Sequence, residues 1–198
     1  MKKGEETRQA ILGEASKLAS RIGLGALTIG LLASKMKMSK SGLFAHFGSK
    51  EALQVQVLEY TANTFRSEVV RPAFKSERGE PRIHQLFENW LSWINDSNLE
   101  CGCLFVQTAT EFDDKPGPVR DCIEDNQREW LAGLAESARR AIKEDHFRRD
   151  VDPDVFAFEF YSMLLGYHHS HRMLRDPKAE KHVRSTINNL IEKSRDYN

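Results

Sequence analysis

The chain has 198 residues, of which 40% are hydrophobic and 29% charged, and its formal net charge at pH 7 is zero. This composition is typical of a folded globular protein rather than a disordered one, and no apolar run is long enough for a membrane helix. The acidic residues that follow the first lysines, together with only three cysteines, indicate a cytoplasmic protein without a secretory signal or a disulfide framework.

The charges are unevenly distributed along the chain. Residues 1–52 carry nine lysines and arginines against four glutamates, which gives +5, so residues 53–198 must sum to −5. A basic N-terminal segment on an acidic body suggests that only this segment meets a polyanion such as DNA.

The first quarter of the sequence predicts three short helices and a longer one. An apolar face at helical spacing marks the first helix, with Ile11, Ala15, Leu18 and Ile22. Gly23 and Gly25 supply the left-handed or extended backbone that ends it. Thr28, Ser39 and Ser49 are good N-caps for the helices that follow, the last of which carries Leu53, Val57 and Tyr60 on one face.

The remaining sequence also predicts helices. Residues 72–81 form a connection, a tryptophan-rich helix follows, and Cys101-Gly102-Cys103 interrupts it before a short helix over residues 104–112. A turn at residues 113–118 leads into a long helix. An aspartate before a proline begins each of the last two helices, roughly 153–174 and 177–193. No segment reads convincingly as a strand, so the predicted fold class is all-α.

Residues 28–50 meet the physical requirements of a helix-turn-helix. A DNA-reading helix is short, is capped by a small polar residue, and presents small donors and cations to base edges and phosphates. Ser39, Lys40 and Ser41 face outward at the start of the third helix, and Gly42 allows close backbone approach. Lys50 places a cation beside a helix N-terminus, which is itself a phosphate site.

The same residues resemble the signature of the TetR family of bacterial repressors. The resemblance rests on the two runs Ser39-Lys40-Ser41-Gly42-Leu43-Phe44-Ala45-His46-Phe47 and Ser49-Lys50-Glu51-Ala52-Leu53, after a Thr28-capped helix. It implies a nine-helix all-α fold, with a three-helix DNA-binding domain at residues 1–52 and a helical ligand-binding and dimerisation domain at residues 53–198. It also implies a dimeric regulator, a repressor, that binds double-stranded palindromic operator DNA and is released by a small-molecule effector.

The resemblance also assigns residues to DNA. Thr28, His46 and Lys50 match positions that hold phosphates, and Ser39, Lys40 and Ser41 match the start of the recognition helix. Phe44 stands where many members have a tyrosine, so a hydroxyl that reaches phosphate is missing. Lys37 stands where a turn glycine is common, which either strains the turn or adds a contact. The expected DNA-binding residues are Thr28, Lys37, Ser39, Lys40, Ser41, Gly42, Phe44, His46 and Lys50.

Apolar residues of the second domain supply the candidates for a dimer interface and a ligand pocket. The helix after Pro153 is apolar on more than one face, which favours a partner subunit, although a central helix inside one domain explains it too. The interface candidates are Phe156, Phe160, Met163, Leu164, Tyr167, Ile187 and Ile191. Aromatic residues at helical spacing are either core or pocket lining, and the pocket candidates are Trp90, Trp93, Phe105, Phe112, Trp130 and Tyr161.

Three alternatives remain at this point. Cys101, Cys103 and Cys122, or the histidines at 168, 169 and 171, could sense metal or oxidants, but they show no recognisable ligand spacing. An enzyme is not expected, since Cys122 or Glu111 as catalytic residues would lack partners. A ligand-free structural DNA-binding protein would not need the residues beyond 55. The sequence predicts no cofactor or metal, and it determines neither the effector nor the operator.

Overall fold

Helices make up nearly all regular structure in residues 2–95 and 103–196, which are the residues that the computed structural model describes. Nine α-helices have eight or more residues in these ranges: α1 Lys2–Ile22, α2 Ile29–Met36, α3 Lys40–Phe47, α4 Lys50–Phe65, α5 Glu80–Ile94, α6 Leu104–Phe112, α7 Pro118–Lys143, α8 Pro153–His168 and α9 Ala179–Ser194. The described ranges contain no strand, only an isolated bridge between Phe147 and Arg195. The predicted all-α, nine-helix fold is confirmed.

The N-terminal helices begin at hydroxyl side chains, as predicted. Thr28, Ser39 and Ser49 have extended backbones, and each hydroxyl oxygen accepts a hydrogen bond from the amide three residues later, at 3.1, 3.1 and 3.0 Å. The first amides of a helix have no partner inside it, so these caps fix where each helix starts.

The last two helices differ in detail from the prediction. Asp152 caps α8 by accepting hydrogen bonds from two following amides, but α8 proper ends at His168 and passes into a π-helical turn, His169–Met173. Asp176 accepts from the Lys178 amide at 2.8 Å, and the Ala179 amide bonds the Asp176 carbonyl. This turn delays the start of α9 to Ala179, two residues after the predicted start.

The chain divides by packing into two compact units. Unit 1 comprises Met1–Arg66 and Trp93–Asn126, and unit 2 comprises Ser67–Ser92 and Gln127–Asn198. The sequence suggests a different boundary, between residues 52 and 53, which would separate DNA contacts from ligand contacts. It concerns function and stays a prediction.

The core of unit 1 is aliphatic. Its fully buried members include Ile11, Ala15, Leu24, Leu27, Leu32, Leu43, Leu53, Val57 and Leu58. Ile22, which the spacing assigned to the buried face of α1, is 40% exposed because α1 ends there and Gly23, with a φ of 86°, redirects the chain. α1 and α4 are also joined by a hydrogen bond of 2.9 Å between the Ser16 and Thr61 hydroxyls.

The core of unit 2 contains a cluster of aromatic rings. Phe87 and Phe160 meet edge to face with ring centroids 6.4 Å apart, and Phe147 packs on Phe156 at 5.3 Å. Such pairs add stability beyond the area they bury. At one end of this unit the Arg195 guanidinium binds both carboxylate oxygens of Glu80, which holds the pKa of Glu80 below its usual value.

Within the described ranges, no helix combines the length and the apolar character that crossing a membrane would require.

Candidate nucleic-acid interface

The two faces of α3 carry different chemistry. Leu43 and Phe47 are buried in unit 1, while Lys40, Ser41 and His46 are exposed. With only two buried anchors, the eight-residue helix keeps the rest of its surface for contacts outside the chain. This arrangement matches the prediction that its first turn points outward.

Residues 28–50, which we call the recognition segment, form a cationic surface. The segment contains Lys35, Lys37, Lys40 and Lys50 and no aspartate or glutamate. All four lysines are exposed. Lys40 and Lys50 are the first residues of α3 and α4, and exposed lysines at helix N-termini attract phosphate groups.

The sequence suggested that Gly42 allows close backbone approach to DNA, and the structure shows that it also takes part in the cap of α3. Its amide donates to the Ser39 hydroxyl at 3.1 Å, and a Cβ built on Gly42 would lie 3.0 Å from that oxygen. The Ser41 hydroxyl lies 3.4 Å from the same atom. The Ser-Lys-Ser-Gly sequence therefore makes a tight cap at the start of α3, and the outward donors are fixed in place by it.

Lys37 occupies the turn between α2 and α3 in a left-handed conformation, with φ 54° and ψ 37°. Its amide bonds the Ala33 and Ser34 carbonyls, which closes the C-terminus of α2. This conformation favours glycine, because a Cβ costs roughly 1 kcal/mol there. The sequence suggested that Lys37 either strains the turn or adds a contact to DNA. The left-handed backbone supports strain in the turn, and the side chain is also exposed to solvent.

Phe44 and His46 are both surface residues. Phe44 is 54% exposed, so an apolar ring lies on the outer face of α3 where a phenol would have offered a hydroxyl. The His46 ring lies beside Phe47, with centroids 6.1 Å apart. Both positions are therefore accessible to a partner, and their contacts with DNA stay a prediction.

Lys50 combines a surface position with a structural contact. Its ammonium donates to the Gly25 carbonyl oxygen at 2.5 Å, across the turn between α1 and α2. An ammonium has three donors, so this contact leaves others available for phosphate.

Sequence reasoning missed two residues that hold the same turn. Glu111 of α6 accepts hydrogen bonds from the Leu24 and Gly25 amides, and the buried Gln54 of α4 donates to the Leu24 carbonyl at 2.7 Å. The available signal was a polar residue inside an apolar pattern: Gln54 interrupts the buried face of α4, where its neighbour Leu53 is 0% exposed.

The predicted pocket residues are distributed over both units. Trp93, Phe105 and Phe112 belong to unit 1, whereas Trp90, Trp130 and Tyr161 belong to unit 2. Trp93 is 7% exposed and packs edge to face on Phe65 at 5.8 Å. Among the described residues, no acceptor lies within hydrogen-bonding distance of its indole Nε1. A role in ligand binding stays a prediction for all six.

Most of the predicted interface residues lie in the core of their own unit. Phe156, Phe160, Leu164 and Tyr167 of α8, with Ile187 and Ile191 of α9, are 2% exposed or less, and Met163 is half-buried. The same helix presents a different apolar surface. Val155, Phe158 and Leu165, which we call the α8 stripe, share one face and are 53%, 69% and 37% exposed.

The thiols and histidines are arranged unfavourably for sensing. Cys101 lies outside the described residues. Burial raises the pKa of Cys103, and burial together with Glu59 and Asp125 raises the pKa of Cys122 to about 11. Burial also lowers the pKa of His168 to about 4, helped by Arg172. No group of three metal-ligating side chains occurs in residues 2–95 and 103–196.

Two family models match the chain. The one described as bacterial regulatory proteins, tetR family, matches residues 11–57, and the one described as tetracyclin repressor-like, C-terminal domain, matches residues 79–187. The second match alone spans more than half of the 198 residues. No curated protein matches the chain.

Solved structures share the fold. A TetR transcriptional regulator from Chloroflexus aurantiacus J-10-FL has a TM-score of 0.89 at 23% identity over 98% of both chains. A transcriptional regulator from Saccharomonospora viridis, in complex with choline, has a TM-score of 0.81 at 24% identity, covering 95% of this chain and 96% of its own. AibR, in complex with isovaleryl coenzyme A and operator DNA, has a TM-score of 0.71 at 21% identity, with 93% and 97% covered.

Proposed function

The chain belongs to the TetR family of bacterial transcriptional regulators, and from this premise we propose that it represses transcription by binding an inverted-repeat operator as a dimer. A small molecule that binds the helices beyond the recognition segment releases it. Because the target is the bacterial chromosome, the protein acts in the cytoplasm.

The observation that carries the proposal is the exposed surface of the recognition segment. The segment contains four exposed lysines and no carboxylate of its own, and the first turn of its capped eight-residue helix exposes Lys40 and Ser41. Lysines that reach phosphates supply affinity for any sequence, whereas short polar side chains at the start of a helix in the major groove discriminate between bases.

The roles of individual residues follow from this division. Lys50 and His46 bind phosphates, together with Thr28 at the N-terminus of α2. Lys40 and Ser41 read base edges beside Ser39, whose own hydroxyl already accepts the Gly42 amide and is therefore restricted in its orientation. Lys37, Gly42 and Phe44 contact the DNA backbone or the groove walls.

The test is selection of DNA fragments by the purified protein from a random pool, followed by sequencing. We expect an inverted repeat whose half-sites are spaced so that two recognition helices enter major grooves on one side of the duplex. Changing Lys40 or Ser41 should then alter the selected bases rather than abolish selection. A pool that shows no enrichment at low salt would contradict the proposal.

A second copy of the chain covers the α8 stripe in the proposed dimer. The three side chains are apolar, lie on one face and are partly open to solvent, and exposed apolar side chains grouped on one face mark interfaces. The buried α8 residues support the stripe from inside unit 2. The interface therefore uses the predicted helix through a different face.

The effector of the proposed regulator carries a hydrogen-bond acceptor for Trp93. An indole N–H that is buried without a partner costs roughly 1–3 kcal/mol, and within the described part of the chain Trp93 Nε1 has no partner. A ligand that supplies the acceptor recovers this energy. The Phe65 ring, which packs on Trp93, provides the apolar surroundings that small-molecule sites require.

A screen of small molecules for a rise in unfolding temperature tests the effector proposal. Compounds that stabilise the wild type and weaken operator binding should act less on Trp93→Phe, which keeps a ring but lacks the N–H group. If such compounds act equally on both proteins, Trp93 does not bind the effector.

Redox or metal sensing is less well supported as a second function. The thiolate is the reactive form of cysteine, and the raised pKa values of Cys103 and Cys122 keep both thiols protonated at neutral pH. The absence of catalysis in this regulator also stays a prediction.

A further inference from the structure

The backbone of the turn between α1 and α2 is held by side chains from distant parts of unit 1. Glu111 Oε2 accepts a hydrogen bond from the Leu24 amide at 3.1 Å, and Glu111 Oε1 accepts one from the Gly25 amide at 2.7 Å. A carboxylate that accepts two backbone amides makes charge-assisted bonds, which are stronger than neutral ones. Glu111 therefore attaches α6 directly to the turn that precedes α2.

The carbonyl groups of the same two residues are bound by α4. The buried side chain of Gln54 donates to the Leu24 oxygen, and the Lys50 ammonium donates to the Gly25 oxygen. All four polar backbone atoms of two consecutive residues are thus paired with side chains. Leu24 is 0% exposed, so its amide and carbonyl need partners inside the protein, and side chains of α4 and α6 supply them.

Glycine at position 25 is fitted to the carboxylate. A Cβ built on Gly25 would overlap Glu111 Oε1, although Gly25 itself has no left-handed φ. Gly23 differs, because its φ of 86° requires glycine whatever lies nearby. The close approach of the Glu111 carboxylate therefore explains why residue 25 is a glycine.

We propose that Glu111 is a positioning residue that fixes the recognition segment on α6 and so sets the geometry in which the protein binds DNA. This inference rests on the proposed function. The Glu111 carboxylate binds the amide of Gly25, which lies three residues before Thr28, the N-cap of α2. Leu27, which lies between Gly25 and Thr28, is 0% exposed. A displacement of α6, which also carries Phe105 and Phe112, is transmitted through these bonds to α2 and α3.

A positioning role for Glu111 changes the affinity for the complete inverted repeat more than the affinity for a half-site, whereas a simple structural role changes both together. A half-site measures whether one recognition segment is folded and able to bind. The complete inverted repeat also measures whether two segments are held at the correct spacing and orientation. A positioning residue affects the ratio of the two affinities, whereas a residue needed for folding lowers both.

The experiment compares Glu111→Gln with the matched variant Asp114→Asn on the selected inverted repeat and on one half of it. Both variants remove one negative charge, and Asp114 is an exposed residue close to Glu111 in sequence. Glutamine has only one acceptor oxygen, so one of the two backbone amides, Leu24 or Gly25, would face an NH₂ group instead of an acceptor. We expect Glu111→Gln to weaken full-site binding about tenfold and half-site binding less than twofold, with less than twofold change for Asp114→Asn.

Gly25→Ala provides a second approach to the same contact, since its methyl group displaces the carboxylate from the turn. It should reproduce the loss at the full site, and combining it with Glu111→Gln should add little. An unchanged full-site affinity in Glu111→Gln, or equal losses at the full site and the half-site, would overturn the inference. Failure to select any DNA sequence would instead contradict the proposed function itself.

Discussion

The two compact units present opposite kinds of surface. In unit 1 the recognition segment exposes four lysines and no carboxylate. In unit 2 the α8 stripe exposes valine, phenylalanine and leucine side chains. Binding to a polyanion such as DNA releases the counterions condensed on it. This release is less favourable at high salt concentration, so the affinity falls as salt rises. Burial of apolar surface is not weakened in this way, and sulfate or phosphate strengthens it.

This contrast separates the two proposed contacts of the protein experimentally. If DNA binding depends on the cations of unit 1 and dimerisation on the apolar stripe of unit 2, as proposed, ionic strength should change the first far more than the second. A substitution in one surface should leave the direct contact of the other intact. The following predictions test that separation.

The largest expected effect is on assembly. Phe158→Asp places a charge in the centre of the α8 stripe and should raise the dimer dissociation constant at least about 100-fold, since burying one phenylalanine contributes roughly 1.5–3 kcal/mol and a two-fold interface uses it twice. Light scattering and sedimentation at micromolar concentration measure this, and far-ultraviolet circular dichroism should show that helicity is retained.

Phe74→Asp is the matched control for assembly. Phe74 is also an exposed phenylalanine of unit 2, at 62%, but it lies outside α8 and packs against the Arg82 guanidinium. Its substitution should leave the dimer intact. If both variants dissociate equally, or neither does, the stripe is not the interface.

A moderate effect is expected from pH on unit 2. The pKa of His168 is about 4 in the folded protein, against 6.5 for the free side chain, so the unfolded chain binds more protons between these values. The stabilising contribution is therefore complete above pH 6.5 and is lost as pH falls toward 4. From pH 7 to pH 5 the loss should be about 1 kcal/mol, because partial exposure screens the effect.

His168→Gln isolates this contribution from the other histidines. Urea unfolding at fixed protein concentration should show a smaller decrease in the free energy of unfolding for the variant than for the wild type between pH 7 and pH 5. Parallel decreases in the two proteins would show that His168 is not the group responsible. Operator binding through unit 1 requires no direct contact with this residue.

A smaller effect is expected at Lys37, where replacing the lysine by glycine should stabilise the fold but weaken DNA binding. Lys37→Gly removes the strain of the left-handed turn and should stabilise the protein by roughly 0.5–1 kcal/mol. Lys37→Ala keeps the strain and removes the same charge. Thermal unfolding distinguishes the two variants, and both should bind DNA more weakly if the ammonium contacts it. Equal stability of the glycine and alanine variants would exclude strain at this turn.

These residues illustrate what the sequence could predict. Thr28, Ser39 and Ser49 were identifiable because a cap bonds an amide three residues away, and such local chemistry is visible in a short window. The helical fold and the outward first turn of α3 followed from the same local patterns. The unusual lysine in the turn was also recognisable, because the left-handed region favours glycine.

The proposed interface and the Glu111 contact were beyond that reasoning for physical reasons. Apolar spacing on α8 indicates burial but not whether the covering surface belongs to the same chain, so Phe160 and Leu164 were named as interface candidates, although they lie in the core of unit 2. Glu111 bonds amides 86 and 87 residues away, and nothing local distinguishes it from a solvated carboxylate.

The central claim, that the recognition segment binds DNA, is tested most directly by titrating the selected operator at several salt concentrations. Lys50→Ala is compared with Lys181→Ala, which removes an exposed lysine of α9. The wild type should bind with a steep salt dependence, and Lys50→Ala should reduce the slope of log affinity against log salt by about one, with no change for Lys181→Ala. An affinity loss without a change in slope would mean that Lys50 acts only through the Gly25 carbonyl, and no binding by the wild type at low salt would contradict the claim.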